Sequence, residues 1–233
     1  MRALIVGASS GLGRALFDGL QRDGHEVFGV ARSVPHGGDL THWIAADFRD
    51  PALAADTVSA AAPAELDAVI YNLGVWEPSA FTPEYEFTSQ EDTVTVDLIA
   101  TNVTGPLLLL QRLMPRLLAS KRPRVILTGS TSALPGNGRP EVAFGASKTA
   151  LNGIAEALRE GYRAQQLAVT TLQLGSLNTE DSLDVDRDIA AAREGGSLIP
   201  VHDVVAVVRT VLGLSSASFV REVVLPALRD ERF

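Results

Sequence analysis

Residues 3–16 read ALIVGASSGLGRAL. Ala3, Leu4, Ile5 and Val6 form a short apolar run with two β-branched members, which predicts a buried strand. Glycines follow at 7, 11 and 13. From Leu12 onward apolar residues recur at helical spacing, which predicts a helix over 12–22. Strand, glycine-rich turn and helix in direct succession make one half of a βαβ unit, and the rest of the chain is read outward from it.

The same alternation continues downstream. Short β-branched runs at 26–30, 43–46, 68–71, 124–127, 169–174 and 222–225 predict six further strands. Between them, helical patterns are expected at 51–62, 91–119, 144–166 and 202–212. Pro51 suits a first helical turn, and Gly105-Pro106 is expected to kink the helix over 91–119. Strands this apolar are buried on both faces, which requires a parallel sheet with helices on both sides, the α/β doubly wound class. No repeat, low-complexity tract or linker divides residues 1–233, so one domain is expected. Irregular segments remain at 32–42, 75–90, 131–141 and 178–200. Three of them follow predicted strands, and ligands in such sheets sit beyond the carboxyl ends of strands.

The glycine turn therefore has the context a dinucleotide site needs. Glycines permit a tight turn and a close backbone approach to a pyrophosphate. The helix that follows offers that anion unpaired N–H groups and a partial positive charge, and Ser9 and Ser10 can add hydroxyl hydrogen bonds. An NAD site of this kind calls for a carboxylate after the second strand, to hold the ribose 2′-hydroxyl. This chain has Ala31, Arg32 and Ser33 there. A planar guanidinium suits a 2′-phosphate, so NADP is expected over NAD.

Bulk properties exclude several function classes. The chain has 233 residues, 46% hydrophobic and 21% charged, with a net charge of -8. An acidic balance argues against nucleic-acid binding, which needs a basic face. There is no cysteine, so disulfides and thiolate metal sites are excluded, and His25, His36, His42 and His202 lack zinc-ligand spacing. The opening MRALIVG lacks the longer apolar core of an export signal, and the apolar run 107–110 is too short for a bilayer. A cytoplasmic protein without membrane or nucleic-acid partners is expected.

Several local patterns then fall into one order, and the chain resembles the short-chain dehydrogenase/reductase family from the glycine turn to the last strand. VGASSGLG resembles that family's T-G-x-x-x-G-x-G, with Val6 where threonine is usual; this carries over Gly7, Ser9, Ser10, Gly11, Leu12 and Gly13 as cofactor-binding positions. ADF at 46–48 resembles the adenine-contacting segment, giving Asp47 and Phe48. YNLG at 71–74 resembles N-N-A-G at Asn72 and Gly74. Asn102 in TNVTG matches the asparagine of the family's catalytic group, and Ser130 in LTGSTSA matches its serine. LGSLNT at 174–179 resembles P-G-x-x-x-T, giving Gly175, Leu177 and Thr179. FGASK at 144–148 stands where the family has Y-x-x-x-K, so Lys148 matches and Phe144 replaces the tyrosine.

The resemblance implies a Rossmann-type fold and interconversion of a carbonyl and an alcohol on a small molecule. It implies a tyrosine hydroxyl that exchanges a proton with the substrate oxygen, and a lysine that lowers that hydroxyl's pKa and holds the nicotinamide ribose. The serine bonds the substrate oxygen, and the asparagine supports a water linking the lysine to solvent. It also implies a homodimer or homotetramer formed through the helices over 91–119 and 144–166. Phe144 has no proton to give, and general acid–base catalysis contributes about 10²–10⁴-fold. Four readings remain open here: a substitute acid (Tyr85, Glu84, Glu86 or a water on Lys148), a dinucleotide-binding protein without turnover, an engineered tyrosine-to-phenylalanine change, or a substrate reactive enough to need no acid. Segment 178–200 is expected to form a lid, and its acidic start disfavours a strongly anionic substrate.

Overall fold

The structure, a computed structural model, describes residues 1–34 and 41–230. Part of the irregular segment 32–42, including His36, lies outside the described residues. In chain order the main elements are β1 (Arg2–Val6), α1 (Gly11–Arg22), β2 (Glu26–Ala31), β3 (Trp43–Ala45), α2 (Pro51–Ala61) and β4 (Ala68–Tyr71). Next come α3 (Asp92–Ile99), a π-helical turn (Ala100–Thr104), α4 (Gly105–Leu117), β5 (Arg124–Thr128), α5 (Val142–Gly161) and β6 (Ala168–Leu174). The chain closes with β7 (Leu177–Asn178), α6 (Arg187–Ala191), β8 (Ile199–Pro200), α7 (Val201–Gly213) and β9 (Glu222–Leu225).

Seven strands form one sheet in the order β3-β2-β1-β4-β5-β6-β9, and every pairing is parallel. Alternate strand residues feed two cores. Leu4, Val6, Val69, Tyr71, Val125 and Leu127 face α2, α4 and α5. Ala3, Ile5, Ala68, Ile70 and Ile126 face α1 and α7. This period-two division is why the strands read as continuous apolar runs: both sides are covered. Each fully buried leucine or isoleucine contributes about 1.5–3 kcal/mol. The edge strand β9 departs from the pattern, since Glu222 and Val224 are exposed.

The long helix expected over 91–119 spans Asp92–Leu117. Where a kink was expected, it has a π-helical turn just before Gly105-Pro106, in which the Gly105 N–H reaches back five residues to the Ala100 carbonyl. Pro106 supplies the cause. It has no N–H for the carbonyl of Asn102, and its ring would collide with that carbonyl in a regular helix, so the turn widens by one residue. By length and composition this helix is long and apolar enough to cross a membrane, a length the run 107–110 alone did not display. Here it packs against α2, and Arg112 and Arg116 reach Asp56 and Ser59 of that helix.

Two expectations need correction. The helix expected over 144–166 begins two residues earlier and ends at Gly161; a short 3-10 turn follows and closes at Gln166, which adopts a left-handed φ of 57°. Segment 178–200 is not irregular throughout, for β7 pairs with β8 across it and α6 lies between them.

Candidate active site

The sheet order reverses direction between β1 and β4, and the turns that follow those two strands meet there. Gly7 has φ 83° and its N–H bonds the Val30 carbonyl at 2.9 Å. A Cβ on Gly7 would lie 2.9 Å from backbone atoms of Leu73, and one on Gly13 would lie 1.9 Å from the Gly7 carbonyl oxygen. A Cβ on Gly11 (φ 51°) would lie 3.1 Å from the side chain of Thr179. The glycine turn is thus packed against both Asn72-Leu73 and the 174–179 segment, with no room for side chains. Such a cradle fits a pyrophosphate approached by backbone. Ser10 caps α1 without a side-chain hydrogen bond, and no acidic residue stands in the first turn. Ser9 and Ser10 are exposed, whereas Leu12 is buried and offers only its backbone.

At the end of β2, Arg32 and Ser33 are exposed. Asp47 faces the same end. Its carboxyl is held below the usual value by the hydrogen bond from Arg49 (Nη2–Oδ2 2.6 Å), with a smaller contribution from the nearby Arg32 charge. Phe48 is buried, with its ring 5.7 Å from that of Tyr71 in an edge-to-face pair, so its side chain belongs to the core. Gly175 leaves space for the backbone at Pro226; Leu177 lies in β7, and Thr179 is exposed beside Gly11.

The other end of the cleft is built on α5. Residues 144 and 148 share a helix face by i,i+4 geometry. Lys148 is buried, donates to the Thr128 carbonyl at 2.9 Å, and lies against Gly74, where a Cβ would come within 2.9 Å of Nζ. Burial lowers its ammonium to about 8. The Phe144 ring centroid is 5.7 Å from Nζ, within cation–π reach. Asn72 accepts from Thr128 Oγ1 at 3.3 Å and lies beside Gly13, which ties this end to the glycine turn.

Asn102 is fully engaged. Its Nδ2 donates to the Val75 carbonyl (2.7 Å) and to Ser147 Oγ (3.0 Å), and its Oδ1 accepts from the Val75 N–H (2.9 Å). Ser147 donates in turn to the Phe144 carbonyl at 2.8 Å. The asparagine side chain therefore clamps the loop after β4 to α5. Its own carbonyl lacks a donor four residues on, because that residue is Pro106.

Ser130 Oγ accepts from the Ser132 N–H (3.2 Å) and the Ser132 hydroxyl (2.8 Å), so it caps the 3-10 turn at Thr131–Ala133. With both contacts supplied by donors, its own proton is left to point elsewhere. Ser130 is positioned by a residue that motif reading passed over. Gln173 is fully buried, accepts from the Ser130 N–H at 3.1 Å, and donates to Asn152 (2.7 Å) and Glu222 (2.8 Å). The available signal was a lone glutamine inside an apolar strand, which must find partners.

A second unexpected group closes the start of α5. Glu77 is 1% exposed, and its Oε1 accepts from the N–H groups of Ala143 (3.0 Å) and Phe144 (3.3 Å). Tyr85 Oη accepts from the Val142 N–H at 3.0 Å and donates to Glu77 at 3.4 Å. Burial raises the Tyr85 hydroxyl above its usual value. Glu141, 3% exposed, accepts from the Phe81 N–H at 2.8 Å. Of the substitute acids weighed from sequence, Tyr85 is thus a helix cap, and Glu84 and Glu86 are exposed.

The segment over 178–200 is organised by Asn178, which bonds Asp181 and the Ala190 carbonyl, and by the Asp181–Arg193 pair (Nε–Oδ2 2.9 Å). Those hydrogen bonds from Arg193 and Asn178 lower the Asp181 carboxyl.

Comparison with known proteins agrees with this geometry. A family model described as short chain dehydrogenase matches residues 1–189. The NADPH-dependent pterin aldehyde reductase of Arabidopsis thaliana is 31% identical over 196 residues, covering 76% of this chain and 75% of the other. The 3-oxoacyl-[acyl-carrier-protein] reductase FabG of Escherichia coli is 25% identical over 208 residues, 85% of this chain and 81% of the other. Among solved structures, the Pseudomonas aeruginosa RhlG/NADP active-site complex superposes with a TM-score of 0.79 at 22% identity, covering 98% and 95% of the two chains, a likeness of fold. A metagenomic short-chain oxidoreductase in complex with NADP gives a TM-score of 0.70 at 27% identity, covering 98% of each chain. With its parallel sheet, glycine cradle and buried lysine, the chain belongs to the short chain dehydrogenase family, and both curated relatives named above are reductases, the pterin aldehyde reductase being NADPH-dependent.

Proposed function

We propose that this protein is an NADP(H)-dependent oxidoreductase that interconverts a carbonyl and an alcohol on a small molecule, with Phe144 standing where the proton-donating tyrosine is usual. The carrying observation is the placement of Lys148 Nζ against Gly74, at the far end of a cleft that begins at the glycine turn. Gly7, Ser9, Ser10, Gly11, Leu12 and Gly13 would hold the pyrophosphate. Arg32 and Ser33 would take the 2′-phosphate, and Asp47 with the Phe48 backbone the adenine. Asn72, Gly74, Gly175, Leu177 and Thr179 would bound the nicotinamide half. The bound nicotinamide supplies or accepts a hydride at the substrate carbon.

The chain's own residues do the rest. Ser130 Oγ donates its free proton to the substrate oxygen, and the two donors behind it strengthen that hydrogen bond. Lys148 places a positive charge under the same oxygen, and an ammonium near pKa 8 gives up a proton near neutral pH more readily than an ordinary lysine. Asn102 fixes the loop and α5 relative to each other. Without the tyrosine hydroxyl, turnover is expected to be slow. A second reading, an NADP(H)-binding protein without turnover, is favoured by one observation: the Phe144 ring is buried and closed off by the Phe81 ring at 5.2 Å. In both readings the protein acts in the cytoplasm as a homodimer or homotetramer. The exposed Val96 and Leu107 of the long helix support self-association through that face.

Titration with both cofactors tests the cofactor assignment: NADPH binds more tightly than NADH, and equal affinity refutes the role of Arg32. For the chemistry, Phe144→Tyr is expected to raise carbonyl reduction by about 10²-fold or more with little change in NADPH affinity. A variant that binds NADPH yet stays inert across a broad panel of aldehydes and ketones would favour the second reading.

A further inference from the structure

Three aromatic rings run from solvent to the buried lysine. Trp76 is 55% exposed, and its ring centroid is 6.1 Å from that of Phe81. Phe81 is 53% exposed and meets the buried Phe144 edge-on, at 5.2 Å and 89°. Phe144 lies 5.7 Å from Lys148 Nζ. Two large aromatic side chains held half in water are costly surface to leave uncovered.

The backbone is also strained to hold them there. Phe81 has φ 66°, a left-handed conformation that bulky residues rarely adopt. What maintains it is Glu141, a buried carboxylate that accepts the Phe81 N–H at 2.8 Å. Asn102 fixes the other ring's base by bonding both the N–H and the carbonyl of Val75. Strain imposed by buried polar groups on an exposed aromatic residue beside a reaction centre is a mark of a binding surface. Edge-to-face pairing leaves ring faces free, and such faces bind flat π systems by offset stacking. Phe144, buried with Leu98 and Ala143, backs the edge of Phe81 from below.

We propose that Trp76, Phe81 and Phe144 form the substrate subsite and select a planar aromatic carbonyl compound. This inference rests on the reading of Lys148 and Ser130 as the reaction end of the cleft. The ring system lies along Trp76 and Phe81, with the carbonyl directed past Phe144 towards Ser130 and Lys148.

The test compares 2-naphthaldehyde with its saturated counterpart, decahydronaphthalene-2-carbaldehyde, by calorimetry on the full chain with and without NADPH. The aromatic aldehyde is expected to bind about tenfold more tightly, as ring pairing beyond simple area burial allows. Trp76→Leu and Phe81→Leu keep apolar bulk and remove the ring. Each is expected to cut naphthaldehyde affinity by roughly threefold to tenfold and to leave the saturated aldehyde within about twofold. Phe81→Gly separates binding from folding: it relieves the left-handed strain, so naphthaldehyde affinity falls while the melting temperature holds or rises. Equal affinity for the two aldehydes, or a Trp76→Leu variant that binds naphthaldehyde normally, overturns the subsite. Failure of NADPH to bind refutes the cofactor reading instead, and the comparison without NADPH still decides the aromatic preference.

Discussion

Two helix N-termini flank the cleft, and the chain treats them in opposite ways. At α1 the first turn is left open: Ser10 makes no side-chain cap, no carboxylate stands nearby in sequence, and glycines clear the approach. At α5 the first three N–H groups are all taken, one by Tyr85 and two by Glu77. Both ends carry the same partial positive charge. One is left without a side-chain cap, as the proposed pyrophosphate site requires, and the other is capped by a carboxylate from the chain itself. The difference teaches where a ligand can enter. An open terminus bounded by glycines is a receptor, whereas a filled one is a fastening, here of the 75–90 loop onto the helix that carries Phe144 and Lys148.

The comparison can be broken most severely at the open end. Gly13→Ala would force a Cβ to within 1.9 Å of the Gly7 carbonyl oxygen. A loss of about 3 kcal/mol or more is expected from such overpacking, together with loss of NADPH binding. Denaturant unfolding and a cofactor titration check both. Unimpaired binding by Gly13→Ala would show that the turn is not the receptor.

Lys148 of α5 is a buried charge that neither terminus neutralises. Burial lowers the Lys148 ammonium from an ordinary 10.5 to about 8. Below about pH 8 the folded protein carries a penalised cation; between about 8 and 10.5 the folded form has lost the proton and the unfolded form retains it, so stability from this group rises with pH. Lys148→Met should therefore raise stability near neutral pH by up to about 3 kcal/mol, and the gain should vanish as pH approaches 10.5. Melting curves from pH 6 to 10.5 decide the point, and a variant less stable throughout would contradict it.

The closed end gives the smallest effect and the finest distinction. Glu77→Gln keeps an oxygen for Ala143 and Phe144 but loses the charge, at a cost of about 0.3–1 kcal/mol. Glu77→Ala removes the acceptor and should cost about 1–2 kcal/mol. Urea unfolding of the pair separates charge from hydrogen bonding; equal losses would mean that the carboxylate's charge contributes nothing to the cap.

The same contrast explains how much was legible in the sequence. The seven strands of the sheet and the glycine turn are visible because each rests on local signals: apolar runs, and glycines at fixed spacing. The positions of Asn102, Ser130 and Lys148 are legible for the same reason, as short motifs in order. The latch is not. Glu77 and the α5 N–H groups it serves stand 66 and 67 residues apart, and no local pattern marks a carboxylate as another helix's cap. Tyr85 looked available as an acid for similar reasons, since its commitment to Val142 is non-local. The strands β7 and β8, two residues each, and the five-residue α6 are too short to display a period. Phe48 shows a different limit: its motif names a position, but not that its side chain lies in the core beside Tyr71.

The widened turn at Ala100–Thr104 makes this stretch sensitive to length more than to composition. One residue corresponds to about 100° of rotation about a helix axis. Deleting one position there other than Asn102 would swing everything ahead of it by that angle relative to Leu109, Leu110 and Leu113, and would set the Pro106 ring against the carbonyl four residues before it. Asn102 would then face away from Val75 and Ser147 with every remaining side chain intact. A single-codon deletion would expose this dependence.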